Sequence, residues 1–185
     1  MVKIIMLNGF HGSGKDTAGQ LIMEHHKNYK RYAFADIVKD IAAKRYGFSR
    51  ELADMPSEKD KTREEHNGLS IRDMGRAIWM EIYATNKTMV TEIVAENMLK
   101  ELEENPAVNF VITDFRYDHD YHKLVEIFGR EAITTIKIIR DCVKLPDKIK
   151  EPEEYALENF VFDNIISNNG TYDELYNHIT VVVHL

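Results

Sequence analysis

One cysteine, Cys142, occurs in 185 residues. That scarcity excludes an internal disulfide framework and any CxxC zinc site, and it suits a reducing interior. Basic residues are also in deficit. The chain has 24 Lys and Arg against 31 Asp and Glu, a net charge of −7, which argues against a protein that holds DNA or RNA by phosphate neutralisation while leaving room for a local basic pocket. No apolar run approaches the roughly 18–20 residues that span a bilayer, and the opening residues 1–7 are too soon interrupted for a signal peptide. A cytoplasmic chain with no membrane or nucleic-acid partner is therefore expected. Internal repeats and low-complexity tracts are lacking as well. A GTPase switch would need N-K-x-D, but the one Asn-Lys pair, Asn86-Lys87-Thr88-Met89, lacks the aspartate, and no D-x-x-G follows the second expected strand.

What is present is ordinary globular composition, 44% hydrophobic, at a length that favours a single domain over residues 1–185. Short apolar runs alternate with amphipathic stretches. Residues 4–7, 31–35, 108–112, 133–139 and 160–166 read as strands. Helices are expected near 15–26 and 37–45, and from Val90 through Val94, Met98 and Leu102 to a stop at Asn105-Pro106. Thr171-Tyr172-Asp173-Glu174 matches a capping box, and Ser70-Ile71-Arg72-Asp73 carries a weaker version of it. The polar run 57–67 reads as a solvated helix or loop, and residues 179–185 fit either a helix end or an edge strand. Strands alternating with helices imply an α/β fold with a mostly parallel sheet covered on both faces.

The strongest chemical signal is Gly9-Phe10-His11-Gly12-Ser13-Gly14-Lys15-Asp16-Thr17, a G-x-x-x-x-G-K loop between an expected strand and an expected helix. Its glycines let successive backbone N–H groups turn toward phosphate oxygens at a helix N-terminus, and Lys15 brings a point charge to the β- and γ-phosphates. The residue after the lysine is Asp16 rather than Ser or Thr. A carboxylate beside a triphosphate needs a cation between them, so Asp16 is expected to bind Mg²⁺, directly or through water, or to help position the accepting oxyanion. Simple helix capping is the plainer reading. Thr17 can offer its hydroxyl to a phosphate.

A kinase for a phosphorylated acceptor needs further positive charge. Arg72 and Arg76 lie i, i+4 on one expected helix, and Trp79 and Tyr83 continue that face beside a core stripe of Ile71, Met74, Ile78 and Ile82. Asp114 and Arg116 follow the third strand, and Arg140 ends the fourth, at the carboxyl edge where open α/β sheets bind ligands. Lys39 is a further candidate. Each has a plain alternative: a solvated helix face, a helix cap or an exposed strand end. The Asp118, His119, Asp120 and His122 group reads as a helix start rather than a metal site.

The GKD loop, the segments 35–40, 71–74, 113–116 with Asp118-His119, 138–140 and 165–171, and their order along the chain resemble the bacteriophage deoxynucleoside monophosphate kinases. Animal-type phosphomevalonate kinases share the GKD loop and the strand-end D-x-R and form the next resemblance. The first resemblance implies a three-layer α/β/α P-loop kinase fold with a five-stranded sheet, moving the ATP γ-phosphoryl to a dNMP with Mg²⁺, in the host cytoplasm if phage-encoded. By position, Gly12, Ser13, Gly14, Lys15, Asp16 and Thr17 would hold ATP, and Asn168 to Thr171, Gly170 included, would lie near adenine. Asp36, Lys39, Arg72, Arg76, Trp79, Asp114 and Arg116 would form the dNMP site within and beside a helical region of about 36–103. Asp16 and Asp114 would hold the metal. Lys15, Asp16, Arg116 and Arg140 would be catalytic, with Arg140 and a loop of about 141–157 as the lid. A homodimer is compatible with it, and a nucleotide-binding module without catalysis is the remaining alternative.

Overall fold

The computed structural model describes residues 2–148 and 151–183. Along the chain the elements are β1 (Ile4–Asn8), α1 (Lys15–His25), β2 (Tyr29–Tyr32), α2 (Phe34–Tyr46), β3 (Thr62–Arg63), β4 (Leu69–Ser70), α3 (Ile71–Thr85), α4 (Met89–Glu104), β5 (Asn109–Ile112), α5 (Asp118–Phe128), β6 (Ile133–Ile139), β7 (Asn164–Ser167) and α6 (Tyr172–Val183), with short 3₁₀ turns between them. They fall into two compact units, a sheet unit of residues up to Ala33 and from Ala95 onward, and a helical unit, Phe34–Val94.

In the sheet unit five strands lie in the order β2-β5-β1-β6-β7, and every neighbouring pair is parallel. Both faces are covered, which is why β1 carries an unbroken apolar run over residues 4–7 and β5 one over residues 110–112. Ile4, Ile5, Met6 and Leu7 are all at most 1% exposed. Ile5, Leu7, Val111, Ile136, Ile138 and Ile166 form one core with Leu21 and Ile22 of α1 and Leu175 and Ile179 of α6. Residues of opposite parity, Ile4, Met6, Phe110 and Ile112, are fully buried too, as a period of two requires when the second face is also covered.

Two expected strands are displaced. The second runs over Tyr29–Tyr32 rather than 31–35, because Phe34 already opens α2. As an edge strand it exposes Lys30 and Arg31 and so carries no apolar signature. The fifth begins at Asn164, since Phe160 and Phe162 instead pack edge-on with Phe115. The carboxyl end is helical to Val183, and the Thr171–Glu174 box starts that helix: Thr171 N–H donates to Glu174 Oε2 (2.6 Å), and Glu174 N–H donates to Thr171 Oγ1 (3.2 Å). Among the described residues no helix is long and apolar enough to cross a membrane.

The helical unit contains α2, α3 and the start of α4. Its polar run 57–67 forms turns and one strand of the small antiparallel pair β3–β4. Ile71, Met74 and Ile78 are buried along α3, as the periodicity anticipates. The Ser70 box is complete: Ser70 N–H donates to Asp73 Oδ2 (3.0 Å) and Asp73 N–H to Ser70 Oγ (3.1 Å). Ser70→Ala is expected to cost about 1 kcal/mol, a Tm loss of roughly 2–4 °C readable by thermal denaturation. The Ser70 hydrogen bonds also hold the Asp73 carboxyl below its usual pKa. A depressed folded-state value contributes stability above the ordinary carboxylate range and loses it as the pH falls through the folded value, so the Ser70→Ala deficit should shrink in acid.

Candidate functional site

Because the five strands are parallel, their carboxyl ends share one edge, and four candidate segments leave from it. The 9–14 loop follows β1, Asp114 and Arg116 follow β5, Arg140 follows β6 and Asn168 follows β7. Hydrogen bonds tie these exits together. Phe115 N–H donates to Leu7 C=O (3.2 Å), Asn168 N–H to Ile139 C=O (2.8 Å), and the Asn8 side-chain amide to Phe115 C=O (2.8 Å).

The loop itself is wound by two left-handed glycines, Gly12 at φ 83° and Gly14 at φ 98°, and closed by Ser13 N–H donating to Phe10 C=O (3.0 Å). Gly14 is the N-cap of α1, with no side-chain cap bond, so the first N–H groups of the helix receive no side-chain acceptor there. Ser13 is 2% exposed, and its buried hydroxyl has no hydrogen-bond partner. Lys15 is 8% exposed, and its Nζ lies 3.8 Å from the outward-facing Asp16 carboxylate. Buried donors and a buried ammonium are costly unless an acceptor or anion meets them. An uncapped helix start, an orphaned hydroxyl and a buried cation thus fall on three consecutive residues of one loop, a combination that suits an anion.

Beside it, Phe10, Ser13, Ile138, Ile139, Arg140, Asp141, Val143 and Leu145 line an open cavity of about 280 Å³. Its lining is mostly apolar with one guanidinium and one carboxylate, a mixture of apolar wall and few polar groups that suits a planar base. Asp114 is half-buried, and Thr17 likewise. Asn168 is buried, and its side-chain amide donates to Ser13 C=O (2.8 Å). Gly170 is exposed at the start of α6, where a Cβ would collide with Glu174 of the capping box. Arg116 pairs with Glu154 (2.6 Å), whose side chain is only 8% exposed, and Tyr155 packs against Phe10 of the loop with ring centroids 5.3 Å apart. The 3₁₀ turn Pro152–Tyr155 of the expected lid therefore touches both the phosphate loop and the β5 exit.

In the helical unit, Lys39 bonds Asp54 (2.8 Å) and Asp36 (3.4 Å). Arg50 reaches Asp36 (3.1 Å), Asp40 (2.6 Å) and Asp54 (2.6 Å). Burial works to raise the Asp54 pKa, but the bonds from Lys39 and Arg50 outweigh it and hold the carboxyl down. Arg72 pairs with Asp60 (2.5 Å), whose pKa that bond lowers. Arg76 is exposed on α3, and Trp79 stacks with Tyr83 at 6.2 Å. Sequence reasoning missed Arg50, although its i, i+4 spacing to Asp54 was available. It also missed Glu154 and Tyr155, and the ring contact that Phe10 of the singled-out loop makes with Tyr155, because these contacts depend on tertiary folding of a charged loop.

Among the described residues no group of three or more His, Cys, Asp or Glu side chains could hold a metal ion. No family model and no curated protein matches the chain. Solved structures do match over nearly full length. They include a sugar kinase from Janibacter (12% identity, TM-score 0.54, covering 100% of this chain and 95% of that one). A dephospho-CoA kinase from Campylobacter jejuni gives 13% identity and a TM-score of 0.53, covering 98% and 96%. The tunicamycin resistance protein of Deinococcus radiodurans gives 13% identity and 0.55, covering 100% and 97%. At such identities the likeness is one of fold. The chain has the α/β architecture of the P-loop kinases, with a parallel five-stranded sheet and helices on both sides, as its sequence anticipates.

Proposed function

We propose that this chain is an ATP-dependent small-molecule kinase, and specifically a deoxynucleoside monophosphate kinase. The observation that carries the reading is the 9–17 loop, with Lys15 buried beside an uncapped helix start and the orphaned Ser13 hydroxyl. The triphosphate would lie on the N–H groups of Gly12, Gly14 and Lys15, since that of Ser13 already closes the loop on Phe10 C=O, and the base in the cavity between Phe10 and Arg140. Mg²⁺ needs only one or two carboxylates beside substrate phosphates. Asp16, 76% exposed in the first turn of α1, fits that requirement, with Asp114 as second holder. When bound, the ion neutralises phosphate charge.

In the transfer an acceptor phosphate oxygen forms a bond to the γ-phosphorus as the β–γ bridging bond breaks, and ADP leaves. Such chemistry asks for positioning and charge more than covalent assistance. Lys15 and Arg140 supply cations on the donor side. Lys39, Arg72, Arg76 and Arg116 would serve the acceptor phosphate, with Asp36 and Trp79 at the nucleoside, and the 141–157 loop would exclude water.

A second reading, a kinase for another phosphorylated acceptor such as a phosphomevalonate-like one, draws on the same Gly14-Lys15-Asp16 loop and strand-end Asp114-Phe115-Arg116 and would need the same cations for its acceptor phosphate. ADP release measured with ATP and each of dAMP, dCMP, dGMP, dTMP and mevalonate phosphate separates the two. Release driven by a dNMP supports the first, and release driven only by the last supports the second. The Arg116 role has its own test. Glu154→Gln removes the charge that competes for that guanidinium, so the acceptor KM should fall about 3- to 10-fold. An unchanged KM takes Arg116 out of the acceptor site.

A further inference from the structure

We infer that Asn168 is a positioning residue that sets the orientation of the Ser13–Gly14 peptide, and through it the phosphate loop, rather than a contact for the base. The inference deepens the proposed nucleotide site and rests on that reading. The Asn168 side chain is 9% exposed and donates its amide hydrogen to Ser13 C=O at 2.8 Å. Its own backbone N–H is fixed to Ile139 C=O at 2.8 Å, so the side chain projects from a braced point between β6 and β7.

A trans peptide is planar, with its C=O and N–H pointing in opposite directions. Holding the Ser13 carbonyl toward Asn168 therefore turns the Gly14 N–H away from it, on the side of the loop open to a ligand. No hydrogen bond among the described residues uses that N–H. Gly14 sits at φ 98°, in the left-handed region that only a residue without a Cβ adopts cheaply, and a Cβ there would collide with the Asn168 amide nitrogen. The glycine and the asparagine are thus fitted to each other. Without the amide, the Ser13 carbonyl loses its buried donor, and the peptide is free to swing the carbonyl toward the incoming anion, which would repel it.

Calorimetric titration of the full chain with Mg²⁺·tripolyphosphate and with Mg²⁺·ATP tests this, because the first ligand carries no base. Asn168→Ala should weaken both by the same factor, about tenfold, and should raise the KM for ATP with less effect on kcat. Asn168→Ser, whose hydroxyl is too short to reach the Ser13 carbonyl, gives the same comparison if the alanine form folds poorly; thermal denaturation identifies a folded variant. A loss confined to ATP would overturn the inference and assign Asn168 to the base. Unchanged affinity for both ligands would also overturn it. Wild-type protein that binds neither ligand would instead overturn the nucleotide reading itself, and this inference with it.

Discussion

Replacing Lys15 by methionine is expected to lower turnover by at least about a thousandfold while leaving the protein folded. Lys15 is 8% exposed, so methionine, unbranched and of similar length, fills the same space without a charge. The exposed Asp16 carboxylate at 3.8 Å keeps water as its main partner, and removing the ammonium strands no buried anion. Stability should therefore stay level or rise, since a buried cation is costly. The two measurements belong together. ADP release should vanish in a coupled assay while Tm remains within a few degrees. Retained turnover would remove Lys15 from the reaction, and an unfolded protein would mean that the ammonium is a structural element of the loop.

Gly14→Ala should produce the second largest effect, and a different one. Two penalties add at this position. The left-handed backbone costs a non-glycine residue about 1–2 kcal/mol, and the new Cβ would run into the Asn168 side chain. That side chain cannot step aside without releasing Ser13 C=O. A total loss of roughly 2–4 kcal/mol follows from strain plus overpacking, with ATP affinity reduced by more than tenfold because the peptide that should face the phosphates is displaced. Denaturant unfolding and ATP titration check the two parts separately. Gly12→Ala is the informative contrast. It has the same left-handed φ, 83°, but only Val143 at 3.9 Å near its Cβ, so it should show the backbone penalty alone.

Much of the sheet was legible because parallel strands covered on both faces are rich in apolar and β-branched residues, as in the expected strands 4–7, 108–112 and 133–139. The phosphate loop was legible because glycine, lysine and the flanking elements carry a mechanism at fixed spacing. What escaped had physical causes. β2 is an edge strand with Lys30 and Arg31 outside, so periodicity gave no register. Phe160 and Phe162 look like strand residues but satisfy their burial in an aromatic cluster with Phe115. The charged partners of the acceptor candidates, Asp54 for Lys39, Asp60 for Arg72 and Glu154 for Arg116, lie 12 to 38 residues away, beyond the reach of local spacing. Asn168 illustrates the same limit. The resemblance to the phage kinases implied a place near the base, and only its bond to a carbonyl 155 residues earlier ties it to the phosphate loop.

The central claim, that the curled 9–17 backbone and its lysine present a nucleotide triphosphate to a monophosphate acceptor, is tested most directly by ADP release with ATP, Mg²⁺ and each of the four dNMPs. ADP release that depends on at least one dNMP, and that disappears with Lys15→Met, is the predicted result. ATP binding with no dNMP-dependent release from wild-type protein would contradict it.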